Sequence, residues 1–233
     1  MAKVTFTGKT ARKLSNPKYI VVTEFLASDT EEANGDSYIL EDVLRDTTSL
    51  PQDDNERTDI ERETSDTPIK SIVKLGKRNV SATVNDWQDD VAKALAGYVL
   101  VGNRLVAPSS YKDKYVKFAT VFNDDDANST TGLIAAVYPK VMLDSKSIIE
   151  SLNSQLAGIE IGGVAQDVDI APAFSSESTY EIGDAVIKDN KVYVCKTAVS
   201  SAGSWSESSW DIVENAPLKT PFYWESNYSL PTE

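Results

Sequence analysis

Apolar residues along this chain come mostly in short runs that alternate with polar residues or are rich in Val, Ile and aromatics, a pattern that predicts strands. A short strand is expected at Val4 to Thr7, a better one at Tyr19 to Leu26, and another at Ser37 to Val43. After Pro68 the runs IKSIVKLG and RNVSATV follow, the second placing Val80, Ala82 and Val84 on one face; the two are expected to pair. Helical spacing appears at Trp87, Val91, Ala94 and Leu95, with Asn85 offering an N-cap, Asp86, Asp89 and Asp90 in the opening turns, and Gly97 as the stop. Tyr98 to Val106 has two apolar arms around Gly102-Asn103, a hairpin signal. Further strands are expected at Tyr115 to Phe122 and Leu133 to Leu143, with Pro139 forcing an edge, a bulge or a break in the second. From Asp144 to Gly158 the spacing of Ile148, Ile149, Leu152 and Leu156 predicts a helix, after which Gly158 to Ile170 alternates again.

One long stretch interrupts this pattern. Between Glu41 and Asp66 ten acids stand against Arg45, Arg57 and Arg62, with too few apolar residues for a core element, so an exposed loop or extended hairpin arm is expected. Ala171-Pro172-Ala173 and the serines at 175, 176 and 178 read as a linker, and three of the four Trp lie beyond it, at 205, 210 and 224. The expected organisation is therefore a mainly β domain over 1–170 with the acidic arm at 41–66 and one flanking helix, a linker at 171–178, and a small β domain with a tail over 179–233.

Composition narrows the chemistry. With 233 residues, 41% of them hydrophobic, the chain can bury a core, and its 23 basic against 36 acidic residues give a net charge of −13. That balance argues against a surface built to neutralise phosphates. The absence of His and the single Cys195 exclude an intrachain disulfide, Cys-based zinc sites and the Ser-His-Asp and Cys-His nucleophile systems. The basic start, Met1 to Lys18, lacks the apolar run of a signal peptide, and no window approaches the length of a membrane span, so no membrane anchor is expected. Asp124, Asp126 and Asn128 imitate the start of a calcium loop, but Ser129 and Ala135 stand where its Gly and Glu belong. Two S-x-x-K matches, at Ser71 and Ser109, lack the companion motifs of the hydrolases that use them, and no phosphate-cradling glycine loop is present. The protein is expected not to be an enzyme, with no cofactor and no metal.

Ser178 to Asn215 carries the most specific pattern: Y-x-x-G-D-x-V from Tyr180, a turn at Asp189-Asn190, K-V-Y-V-C-K from Lys191, a Ser/Ala/Gly loop, and then Trp205 and Trp210. A unit this small must draw much of its buried area from Tyr180, Tyr193 and Trp210. The stretch resembles carbohydrate-binding modules of the chitin-binding type, families five and twelve, in the variant that recurs on bacteriophage tail and fibre proteins. The resemblance implies a three-stranded β unit with Trp205 at the exposed, sugar-stacking position. Tyr180, Tyr193 and Trp210 read first as core, with Tyr193 and Trp210 as candidate partners of Trp205 in a glycan site. Glycan binding and surface decoration without binding both stay open.

Residues Ile69 to Tyr98, strands followed by the helix, together with the order of elements around them, resemble the tail tube family of long-tailed phages and contractile injection systems. That likeness implies a β-sandwich or barrel with one flanking helix, self-assembly as stacked homo-hexameric rings, contacts with other tail proteins, and a place in the virion after assembly in the host cytoplasm. It implies that the arm reaches a neighbouring subunit, with Arg45, Asp53, Asp54, Glu56, Arg57, Asp59 and Arg62 as contact residues. Double-stranded DNA would pass through the bore without specific binding, and host or mucosal glycans are partners of the second domain under the binding alternative. The alternatives to a tube are a glycan-binding adhesin and a decoration or terminator protein.

Overall fold

Alternation along β1 (Tyr19–Glu24) sends Ile20 and Val22 into one apolar cluster and Val21 into another on the opposite face of the sheet. The computed structural model describes residues 17–27, 33–43, 48, 50, 53–62, 65–74, 76–85, 88–110, 112–125, 129–144, 151–152 and 157–232. Among these the chain is mainly β, with a single α-helix, as the sequence pattern predicts. It divides into two units, one formed by residues 1–166 with 222–233 and the other by 167–221.

In the first unit, β2 (Ser37–Leu40) pairs antiparallel with β1. β3 (Glu56–Arg62) and β4 (Ser65–Lys74) then form a separate two-stranded sheet. The expected pairing of IKSIVKLG with RNVSATV does not occur: β5 (Asn79–Val84) pairs instead with the later strand Ala157–Ala165. A clamp at the base of the arm explains this. Asp53 N–H donates to the Lys77 carbonyl at 2.8 Å, Asn79 Nδ2 to Asp53 Oδ1 at 3.0 Å, and Gly76 N–H to Asn55 Oδ1 at 3.0 Å. These bonds fold 53–55 back over 76–79, so that β3 leaves alongside β4.

The helix α1 (Asp89–Ala96) begins later than the Asn85 cap predicts, with Gln88 in the N-cap position. Trp87, expected to lead its apolar face, lies outside the described residues, as does Asp86. Val91, Ala92, Leu95 and Ala96 are buried, Val91 and Leu95 packing with Ile20, Phe118 and Tyr138, and Gly97 ends the helix at φ 69° as expected. β6 (Val99–Val101) and β7 (Arg104–Val106) form the hairpin around Gly102-Asn103.

β8 (Tyr115–Asn123) and β9 (Leu133–Leu143) are the middle of the main sheet. Their register slips by one residue between Val116↔Val141 and Phe118↔Tyr138, which puts a bulge at Pro139 and Lys140. Pro139 thus divides β9 into two halves with different neighbours. The expected helix over Asp144 to Gly158 is corrected where it is described: Ser151–Leu152 is β10, paired with the start of β11 (Ala157–Ala165). Residues 145–150 and 153–156, with Ile148, Ile149 and Leu156, lie outside the described residues. β11 takes the far half of β9, at Val141 to Leu143.

The second unit opens with β12 (Val168–Asp169) and holds an antiparallel three-stranded sheet of β13 (Ala185–Lys188), β14 (Lys191–Cys195) and β15 (Trp210–Ile212). β16 (Lys219–Thr220) pairs back with β12 and closes the unit. The chain then re-enters the first unit as β17 (Tyr223–Ser226), antiparallel to the near half of β9 from Ile134 to Val137. The boundary expected at 170 therefore falls at 166, and residues 222–233, expected to belong with the small domain, complete the sheet of the first. Trp224 is on β17, and Tyr228 is buried against Val21, Ala119 and Val137. The small domain is an insertion in the larger one.

Candidate functional site

The motif Y-x-x-G-D-x-V builds the floor of an aromatic cluster in the second unit. Gly183, at φ 101°, takes a conformation that a side chain would strain, and its N–H donates to the Cys195 carbonyl at 2.8 Å. Asp184 Oδ2 accepts from Glu181 N–H at 2.7 Å, closing the turn, while Asp189 and Asn190, both at positive φ, make the tight turn between β13 and β14. Tyr180 is fixed by its hydroxyl, which accepts from Ser175 N–H at 2.7 Å and donates to the Ser175 carbonyl at 3.0 Å.

Trp205, Tyr193 and Trp210 come together as the sequence suggests they could. Trp205 stacks on Trp210 with ring centroids 4.9 Å apart and meets Tyr193 edge-on at 4.8 Å. Tyr180 and Trp210 are buried, whereas Tyr193 and Trp205 are half-buried. Trp205 is accordingly less open than the exposed position expected for it. Since Trp210 covers one indole face, the Lys188 ammonium, 5.3 Å from the Trp205 ring centroid and ion-paired with Asp189, takes the other. Two members of the cluster escaped the sequence reading. Phe174, edge-on to Trp205 at 5.1 Å and to Trp210 at 5.9 Å, sits in the stretch read as linker. Its signal was one bulky aromatic among serines, two residues after Pro172. Lys188 carried no signal.

In the first unit the arm residues are partly placed. Glu56, Arg57, Asp59 and Arg62 lie on β3, Asp53 and Asp54 precede it, and Arg45 lies outside the described residues. Asp53 serves the intrachain clamp and is occupied there. The hairpin of β6 and β7, expected from its two apolar arms, is an uncovered apolar surface: Val99, Leu100, Val101 and Val106 are 58%, 52%, 59% and 45% exposed. Because adjacent residues of a strand face opposite ways, both faces of β6 present apolar side chains to solvent.

Charge and burial act on three phenols. Burial raises the Tyr38 hydroxyl above its usual pKa, helped by Glu24, Asp36 and Asp90. Burial also raises Tyr138, against the opposing pull of Arg78. Tyr228 is pushed up to about 12 by burial and then by Glu225 and Tyr223. Among the described residues no group of three or more acidic or Cys side chains could hold a metal, and no helix is long and apolar enough to cross a membrane. No protein-family model matches the chain, and no curated protein matches it.

Proposed function

We infer that the protein is a virion structural subunit, a major tail tube protein that polymerises as stacked hexameric rings around a DNA conduit. The observation that carries this reading is the uncovered apolar hairpin Val99–Val106. Contiguous exposed apolar surface on a soluble chain marks a contact with another molecule, and open-ended assembly needs such surfaces on every copy. The paired arm of β3 and β4 supports it too, since a hairpin outside the main sheet is free to reach a neighbour. The hexameric and stacked arrangement comes from the resemblance carried by Ile69 to Tyr98. A net charge of −13 suits a bore through which DNA must slide without sticking. No catalytic step belongs to this function.

Negative-stain electron microscopy over a concentration series tests it. Hollow filaments or stacked six-fold rings are expected, and a uniformly monomeric field at every concentration would overturn the reading. Glycan binding by the second unit is the other reading, favoured by the convergence of Trp205, Tyr193 and Trp210. A sugar stacking on Trp205 would have to displace the Lys188 ammonium, so Lys188→Met should strengthen retention on a polysaccharide resin and Trp205→Phe should weaken it. Equal retention by both variants would end this reading.

A further inference from the structure

We propose that the outer edge of β2, with the groove beside it, receives residues 1–16 of a neighbouring copy of the chain as an added strand. Among the described residues β2 ends the path of hydrogen-bonded strands in the main sheet, with β1 on its inner side. Glu24 N–H donates to the Asp36 carbonyl at 3.0 Å, so residues 36, 38 and 40 turn their backbone groups towards β1, and by alternation Ser37 and Ile39 turn theirs outward. Gln88 Nε2, reaching the Ile39 carbonyl at 3.3 Å from the start of α1, confirms that direction. Between this edge and α1 runs a groove of about 990 Å³, lined by Asp36, Tyr38, Asp90, Lys93, Ala94 and Pro231 among others. An edge strand flanked by a helix is a geometry in which extended segments are captured, the backbone supplying affinity and the groove selectivity. The edge closes further on, where Asn85 N–H bonds the Asp42 carbonyl and Val43 bridges to Val84. The Gly35 N–H is bonded inward to the Glu24 carbonyl at 2.9 Å and Gln88 takes the Ile39 carbonyl, so the edge offers the Ser37 N–H and carbonyl and the Ile39 N–H, roughly 10 Å at about 3.3 Å per residue, which fits a strand of about three residues.

Charge selects the occupant. Asp36 and Asp90 face the groove, and Lys93, the one cation among its described lining residues, is paired with Asp90 at 2.9 Å. The raised Tyr38 hydroxyl registers the same field, from Glu24, Asp36 and Asp90. Residues 1–16 carry Lys3, Lys9, Arg12 and Lys13 and no acid, the reverse of the chain as a whole. Within them Val4-Thr5-Phe6-Thr7 has strand alternation and is long enough to cover the open edge. The proposal rests on the self-association in the reading above, and not on six-fold rings or a tube.

Mixing a Thr5→Cys chain with a Ser37→Cys chain under mild oxidation tests it by non-reducing electrophoresis. A two-chain product is expected well above that from Thr5→Cys mixed with Lys112→Cys, an exposed position away from the groove; buried Cys195 is common to both mixtures. Adding Asp36→Lys to the acceptor should lose the product, and Lys3→Glu with Lys9→Glu in the donor should restore it. A yield equal to the control overturns the proposal. So does a cross-link confined to single chains carrying both cysteines, which would assign the groove to the chain's own N-terminus. Filaments without the cross-link reject the groove assignment alone, and the cross-link without filaments supports it while rejecting the tube.

Discussion

Tyr228 shows how one side chain ties stability to solution conditions. Its phenol is neutral in the fold and held up to about 12, against 10.0 for the ordinary group. Below 10.0 both folded and unfolded chains keep the proton and its contribution is complete; above it the unfolded chain ionises first, so stability falls as pH rises towards about 12. Denaturant midpoints measured across that interval should drop for the wild-type chain, and Tyr228→Phe, which keeps the ring, should flatten the drop. An unchanged slope would mean that the phenol is hydrated. Tyr228 was legible as an aromatic near the C-terminus but not as core of the first unit, because the chain's return through β17 leaves no local mark. Trp205, Tyr193 and Trp210 were legible as a group through the resemblance of their motif; Tyr193 and Trp210 lie on the neighbouring strands β14 and β15, and Trp205 lies in the segment between them. The Lys188 ammonium over Trp205 was not legible, as rotamer choice decides it.

Elements were readable where one interaction dominates and misread where two compete. Pro139 announced an edge, a bulge or a break, of which the bulge is found, and Gly97 its helix stop, because backbone sterics act on the residue itself. The apolar spacing from Ile148 to Leu156 fits a helix equally well as a hairpin, and the strand prevails at β11 because β5 and β9 supply ladders to it. Gly163 makes that possible, since a Cβ there would lie 2.2 Å from the Met142 carbonyl oxygen. The β6–β7 hairpin was readable in position and not in exposure, which depends on what fails to pack on it. Val101→Lys belongs to this scale. Being 59% exposed, the site should tolerate the change within about 0.5 kcal/mol of unfolding free energy, while the charge blocks burial of the hairpin between copies. Circular dichroism melts should match the wild type and sedimentation should show the loss of large assemblies; wild-type assembly would return the hairpin to solvent.

At the scale of the molecule, the insertion of the small unit changes what truncation means. Val168 faces Thr220 across the β12–β16 pair, so the two chain crossings into the unit lie about one strand spacing apart, roughly 5 Å. Replacing 168–220 with two glycines should therefore leave the first unit folded, with its own sheet and clusters complete. Ending the chain at 221 should not: it strips β17 from β9 and removes Tyr228 from its cluster, and loss of one buried aromatic alone costs about 3–5 kcal/mol. The two variants separate roles that a deletion of everything after the linker confounds. If the excised chain melts cooperatively and still forms filaments, assembly resides in the first unit and the small unit is an appendage carried on it. If it melts normally yet stays monomeric, the inserted unit supplies contacts between copies, and its aromatic cluster becomes the place to look for them.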